Sequence, residues 1–402
     1  MLLAGVKVVE MGVWVAGPAA GGVMADWGAD VVKIEPPQGD PMRNVFQALA
    51  GIDIPSSPPF NVDNRGKRSV VLDLNQPEAR EIALQMIREA DVFLTNFRRQ
   101  ALERHRLDYE SIKEECPRLV YGHVTGYGQE GPDRDRAGYD IGSFWARSGI
   151  ANLLAPPDAD GEPAPSRGGF GDHITAITCL GGIMAALFAR ERTGEGQLVD
   201  AALLRSGIYT IGWDIAQQIE LGLTMSAGKR TESILPTASN FKAGDGRWVW
   251  LLGVEAERHW PRLVEALGRE DLHEEPRFKD AASRRENARD LMAILDAEFA
   301  KRPFDELTRR FDEVDLWWAP VQTPAEVLED PQALASGAIV EIPGRNGEAP
   351  IRTVGSPVLF SKADVTPRTR PPELGEHTEE VLRERGVTEE QIERLRAAGA
   401  LG

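Results

Sequence analysis

The chain has 402 residues, of which 42% are hydrophobic and 27% charged, with a net charge of −17. That length exceeds what one simple core holds, so two domains are expected, and the acidic balance excludes a general nucleic-acid binder, which needs a basic surface. Cys116 and Cys179 are too few for a disulfide framework or a zinc cluster.

Along the chain, Val6–Met11 reads as a buried strand, Ala19–Trp27 as a helix of small residues and Asp30–Glu35 as a second strand. The helix would begin after Val15-Ala16-Gly17-Pro18, which makes a βαβ unit. Ser69–Leu74, Val92–Thr95 and Val120–Thr125 read as further strands, and Glu78–Glu89 as an amphipathic helix. Alternation of strands and helices predicts an α/β fold: a Rossmann-like large domain with a mainly parallel sheet covered on both faces. Ligands of such sheets bind beyond the carboxyl ends of the strands.

A long apolar helix is expected from about His173, and Leu198–Ala202 as a strand or a helix start. Gly222–Pro236 reads as a loop. From Ser239 to Leu252 short strands flank a turn at Ala243–Gly246, and Glu/Arg-rich helices follow to about Phe311. This segment is expected to be a smaller α+β domain, with Val321-Gln322-Thr323-Pro324 starting a return to the first and Thr388–Ala398 forming a charged helix. The boundaries read as 1–220, 221–325 and 326–402. Met1–Lys7 lacks the character of a signal peptide. No run of about 18 uninterrupted apolar residues predicts a membrane span. A cytoplasmic protein, with no membrane and no nucleic-acid partner, is expected.

Asp172 is the residue that points most directly to chemistry. It follows Gly168-Gly169-Phe170-Gly171 and precedes the small-residue run Ala176–Leu187. A carboxylate on a glycine loop at a helix start is open to approach from one side, as a nucleophile must be. The plain alternative is a helix N-cap, for which Asp is among the best residues. His173 reads as a capping or core residue, or as a second catalytic group. Two basic clusters, Asn96-Phe97-Arg98-Arg99 with Arg104, and Asn64-Arg65-Gly66-Lys67-Arg68-Ser69, read either as phosphate-binding loops or as solvated surface. Phe97 reads as a stacking partner for a base or as core. No P-loop, no Gly-x-Gly-x-x-Gly after the first strand, no metal motif and no Gly-x-Ser-x-Gly elbow occurs. No permanently bound cofactor and no metal are therefore expected.

Several segments together resemble the class III coenzyme A transferases, the CaiB/BaiF or formyl-CoA transferase family. They are Val13–Pro18, Trp27–Pro37, Lys67-Arg68-Ser69 with Leu72-Asp73-Leu74, Asn96-Phe97-Arg98, Gly126–Pro132, Gly138-Tyr139-Asp140, Thr193–Gln197, Trp318–Val321 and Leu374–Thr378. The resemblance implies an enzyme that moves CoA from an acyl-CoA to a carboxylic acid through a covalent aspartyl intermediate on Asp172. It implies CoA contacts at Val15, Ala16, Leu72, Asn75, Asn96, Phe97, Arg98, Arg104, Ala137, Tyr139 and Asp140, with acyl-CoA as substrate. It also implies an interlocked homodimer.

Two departures matter. Val15 stands where formyl-CoA transferase has glutamine, and Ser239-Asn240-Phe241 stands near its glycine-rich tetrad. Formyl and oxalate specificity is therefore not implied. Two other readings are an α-methylacyl-CoA racemase and a non-catalytic acyl-CoA-binding protein. The racemase branch carries its histidine where this chain has Tyr139, a poor base at neutral pH.

Overall fold

The computed structural model describes residues 1–54, 56–156, 160–224, 228–344 and 349–401. Contacts divide the chain into a large unit, Met1–Leu153, Ala164–Met225 and Leu334–Gly402, and a small unit, Leu154–Pro163 and Ser226–Ala333. Residues 225–227 of the expected Gly222–Pro236 loop lie outside the described residues.

The large unit is built on six strands: β1 Lys7–Met11, β2 Asp30–Glu35, β3 Arg68–Val71, β4 Val92–Thr95, β5 Val120–Thr125 and β6 Leu198–Ala202. Their order is β3-β2-β1-β4-β5-β6, and every pairing is parallel. The strands are mainly apolar on both faces because both faces are covered, with buried Glu10, Lys33, Glu35, Ser69 and His123 among them. On one face Val9, Val32, Val70 and Phe93 pack with Ala79, Ile82, Ala83 and Met86 of the Pro77–Arg88 helix and with Val381, Leu382 and Ile392 from the C-terminal region. On the other, Val8, Val31, Val92 and Val120 meet Ala16, Ala20 and Met24 of the first helix, Ala16–Asp26, and Ala176, Cys179 and Ile183 of the long helix, Phe170–Thr193.

The small residues of these two helices have a steric reason. A methyl on Gly22 would lie 2.6 Å from the Asp63 carbonyl oxygen, and one on Gly182 would lie 2.6 Å from Val199. The long helix meets the length and apolarity of a membrane span. One side of it, with Ala176, Cys179, Leu180, Ile183 and Ala186, packs in the core against the sheet, while Ile177 and Phe188 are exposed. The first helix starts at Ala16, earlier than expected, because Pro18 is tolerated in a first turn.

Edge strand β3 is covered by the late part of the chain. The Gly375 amide donates to Ser69 Oγ, the Val71 amide donates to Thr378 Oγ1 and the Asp73 amide donates to the Ala400 carbonyl. The final helix, Glu389–Ala397, opens with a capping box between Thr388 and Gln391.

The small unit is α+β. Its antiparallel sheet is β7 Asn240–Lys242, β8 Trp248–Leu251 and β9 Trp318–Val321. Val249 and Leu251 point into a core with Phe241, Trp260, Leu291, Phe299 and Phe311, and Trp248 and Trp250 point out. The Val321–Pro324 stretch does not begin the return: Val321 pairs with Trp248 in this sheet, and the chain rejoins the large unit at Leu334. Ile339–Ile342 and Ile351–Val354, β10 and β11, then form a two-stranded antiparallel ribbon.

Candidate active site

The strand order reverses between β1 and β4, and the chain beyond their carboxyl ends opens a cleft of about 470 Å³. Four loops build it. Val13, Trp14 and Ala16 follow β1, Asn96–Arg99 follow β4, His123–Gly126 end β5, and Leu203 follows β6. Arg134, Arg136, Ala137, Gly138, Tyr139 and Asp172 complete the walls.

The first two loops are clamped together. Asn96 Oδ1 accepts from the Val13 amide at 3.0 Å, and its Nδ2 donates to the Val13 carbonyl at 2.7 Å. Trp14 has φ 63°, a left-handed conformation that costs a bulky residue about 1–3 kcal/mol and persists only where the surroundings dictate it. Its amide donates to Asp40 Oδ1 at 3.0 Å, and its ring meets Tyr139 edge-on with centroids 6.0 Å apart.

Asp40 belongs to a buried ionic network beneath this loop. Lys33 Nζ lies 3.0 Å from both Glu10 and Asp40 and donates to the Gly12 carbonyl at 2.7 Å. Lys67 Nζ bonds the other Glu10 oxygen at 2.7 Å, together with the Pro18 carbonyl and Asn64. Burial pushes the Lys67 ammonium down to about 8 against the pull of Glu10. The 64–69 cluster is therefore neither a phosphate loop nor solvated surface. Arg65 is buried against Asp26, and Arg68 pairs with Asp30 and Glu384.

Asp172 is not the helix cap. Gly169, at φ 80°, holds the N-cap position, and Asp172 stands three residues into the helix. Gly171 allows this turn to press on the wall of the cleft: a methyl there would lie 2.4 Å from the Phe144 ring. The Asp172 carboxyl is half-buried, and among the described residues it has no hydrogen-bond partner. Burial is the main cause that raises its pKa to about 7, the charges of Asp140 and Asp63 add to the rise, and His173 opposes it. Such a carboxyl is more basic than a free one and poised to change charge near neutrality.

His173 is neither cap nor core. Its ring is half-exposed, and Nε2 donates to Asp63 Oδ1 at 3.1 Å, which holds its pKa above the ordinary value. Asp63 is 3% exposed, on the Pro58–Asn64 helix.

Of the residues expected to contact CoA, Ala16, Asn96, Phe97, Arg98, Ala137 and Tyr139 line the cleft with Asp172. Phe97 is also packed against the sheet core. Val15 is buried behind the lining, and Asp140 is 8% exposed with its side chain accepting from the Ile141 amide at the start of a π-helical turn, Ile141–Ala146. Leu72, Asn75 and Arg104 do not line the cleft. The Leu72 side chain is in the core, Asn75 bonds Asp73, and Arg104 is exposed. Arg104 nevertheless sits in the same neighbourhood as the Asp73–Asn75 loop. His105 hydrogen-bonds the Leu74 backbone, and burial, then the charges of Arg104 and Arg80, lower its pKa.

Arg99 of the same basic cluster lines the cleft too; sequence reading missed Arg134 and Arg136, which also line it, and His123 with Gln129. Gln129 Nε2 donates to His123 Nδ1 at 2.7 Å, so His123 donates from Nε2 to the Phe97 carbonyl at 2.8 Å. Burial lowers the His123 pKa, and the ring acts as a neutral strut under the Asn96–Arg98 loop. No local pattern marks a histidine in a buried strand as such a strut. Among the described residues no group of His, Cys, Asp or Glu could hold a metal.

A sequence profile described as CoA-transferase family III matches residues 3–378. The chain belongs to CoA-transferase family III. This CoA-transferase is 32% identical to (R)-2-hydroxy-4-methylpentanoate CoA-transferase of Clostridioides difficile over 98% of its own length and 97% of the relative's. It is 34% identical to cinnamoyl-CoA:phenyllactate CoA-transferase of Clostridium sporogenes, over 98% and 96%. A crystal structure of a CaiB/BaiF family protein from Brucella suis superposes with a TM-score of 0.83 at 31% identity, covering 95% of this chain and 98% of that one. The CoA-transferase therefore works on acyl-CoA thioesters and carboxylic acids as substrates.

Proposed function

We propose that Asp172 is the nucleophile of the transfer. The observation that carries this is an unpartnered, half-buried carboxyl at the floor of a cleft lined by Arg98, Arg99, Arg134 and Arg136. An Asp172 oxygen attacks the thioester carbonyl carbon, the C–S bond breaks, and CoA thiolate leaves a mixed anhydride. The thiolate then attacks the Asp172 carbonyl, releases the donor acid as its carboxylate and forms an aspartyl-CoA thioester. The acceptor carboxylate displaces the thiolate in turn, and the thiolate takes the new acyl group and frees Asp172. No net proton is consumed, so the site needs no dedicated acid or base.

The arginines bind the phosphates of CoA, with Arg98 inside the cleft and Arg104 and Arg80 outside it beside Asn75. Binding energy from that end orients the thioester. The free, buried thiols Cys116 and Cys179 fit a reducing compartment such as the cytoplasm. Tyr209, Trp213 and Ile219 are 89%, 81% and 77% exposed on the adjoining helices Leu203–Thr210 and Gly212–Leu221, which supports an interlocked homodimer that covers them.

The test has two steps. A panel of acyl-CoAs and carboxylic acids identifies donor and acceptor. The donor thioester alone should then leave a CoA-sized mass on the peptide that contains Asp172 and none on the D172A protein. A parent enzyme that turns over without any adduct at Asp172 would overturn the covalent mechanism.

A further inference from the structure

The acceptor of this reaction is an anion that must approach a carboxylate. Of the three charged groups that act most on Asp172, two are the carboxylates of Asp140 and Asp63. Beside Asp172 these two carboxylates repel the acid that must come in. The third group, the imidazole of His173, carries the opposite sign when protonated.

The histidine is built as a working group would be. One ring nitrogen is committed: Nε2 donates to Asp63 Oδ1 at 3.1 Å, and Asp63 is fixed at 3% exposure. The other nitrogen is free: among the described residues Nδ1 has no hydrogen-bond partner. That free edge faces the glycine loop, with Nδ1 and Cε1 lying 3.7 and 3.6 Å from where a methyl on Gly169 would stand. Gly169 is the N-cap of the helix that carries Asp172, so the unpaired amides of its first turn open on the same side. A side chain at 169 would cover the nitrogen. The pairing of a buried aspartate with one nitrogen and an open edge on the other follows the orienting logic of catalytic histidines.

We propose that the Asp63–His173 pair holds the carboxylate of the acid that exchanges on Asp172, with Nδ1–H donating to it at the Gly168–Gly169 loop. This rests on the covalent role of Asp172. The contact serves the acid and not the CoA moiety. It brings the acceptor oxygen beside the Asp172 carbonyl and offsets the repulsion from Asp140 and Asp63. The class of ligand it selects is a carboxylic acid presenting a carboxylate from the glycine-loop side.

The donor and acceptor found by the screen above test this with H173Q and D63N. His173 is half-exposed, so H173Q is expected to fold as the parent does, and Gln can still donate to Asp63. H173Q should raise KM for the acceptor acid by about 10- to 100-fold, the loss expected for a charge-assisted hydrogen bond. KM for the acyl-CoA and the extent of Asp172–CoA adduct formed without acceptor should stay within about threefold. D63N should move the same constant in the same direction by less. An acceptor KM within about threefold of the parent in H173Q would overturn the proposal, as would an equal rise for acid and acyl-CoA. Loss of a parental α-hydrogen exchange in H173Q, with acceptor KM unmoved, would reassign the residue as a base and overturn it too. Failure of the parent enzyme to form the adduct is a separate result, and it counts against Asp172 as nucleophile.

Discussion

For the nucleophile proposed at Asp172, reactivity and stability pull in opposite directions. With its pKa raised to about 7, the carboxyl is protonated below neutrality in the fold but ionised there in the unfolded chain. The folded state therefore binds the extra proton, and the stability this gives is present at low pH and lost as pH rises through about 7. D172N should thus raise Tm by about 2–4 °C at pH 8 and by less than half as much at pH 5. Scanning calorimetry of the two proteins at both pH values checks this, and a stabilisation equal at both would contradict it. In the proposed mechanism the ionised form attacks, so adduct formation in the parent should climb with pH and level off above about 7. Arg98 and Arg104 separate by position. R98A removes a cleft residue and should weaken CoA binding by roughly 1.5–3 kcal/mol, whereas the exposed Arg104 should cost less in R104A. Isothermal titration with CoA reads both; equal affinities in both variants and the parent would return the cluster to ordinary surface. Tyr139 lines the cleft where a racemase would need a base, so a 2-methylacyl-CoA incubated in heavy water should gain no deuterium at its α-carbon.

Gly171 decides how the helix Phe170–Thr193 meets its neighbours. In G171A the new methyl would fall 2.4 Å from a Phe144 ring that is fully buried and cannot retreat. The helix start would shift and carry Asp172 with it. The expected cost is about 1–3 kcal/mol of stability together with most of the activity, read by thermal unfolding and turnover. The sequence made this helix legible through its small apolar run, and the strands through valine-rich runs at regular intervals. It also singled out Asp172, which lines the cleft, because glycines beside a carboxylate mark an approachable group. The pair made by Asp63 and His173 was not legible, since the two are 110 positions apart and meet only after the Pro58–Asn64 helix docks. The burial of Lys67 was misread because a basic hexapeptide looks solvated until Glu10, from a distant strand, is brought beneath it. The misassigned return at Val321 has a similar origin: pairing with Trp248 joins residues far apart in sequence, and local pattern cannot report it.

At the scale of the molecule, two observations carry consequences. The apolar helices Leu203–Thr210 and Gly212–Leu221 should lie within a subunit interface, so W213D should lower the mass measured by light scattering or reduce soluble yield. A parent protein that runs as a monomer would remove that expectation. The second consequence concerns birth and not activity. The Gly375 amide and the Ser69 hydroxyl that cover β3 are 306 residues apart. On a ribosome adding about 5–20 residues per second, the strand waits for roughly 15–60 s with an open edge. A nascent chain stalled before residue 370 should therefore bind chaperones and resist release as soluble protein, while one stalled after residue 400 should not. Vulnerability in this enzyme is set by the order in which its parts are made.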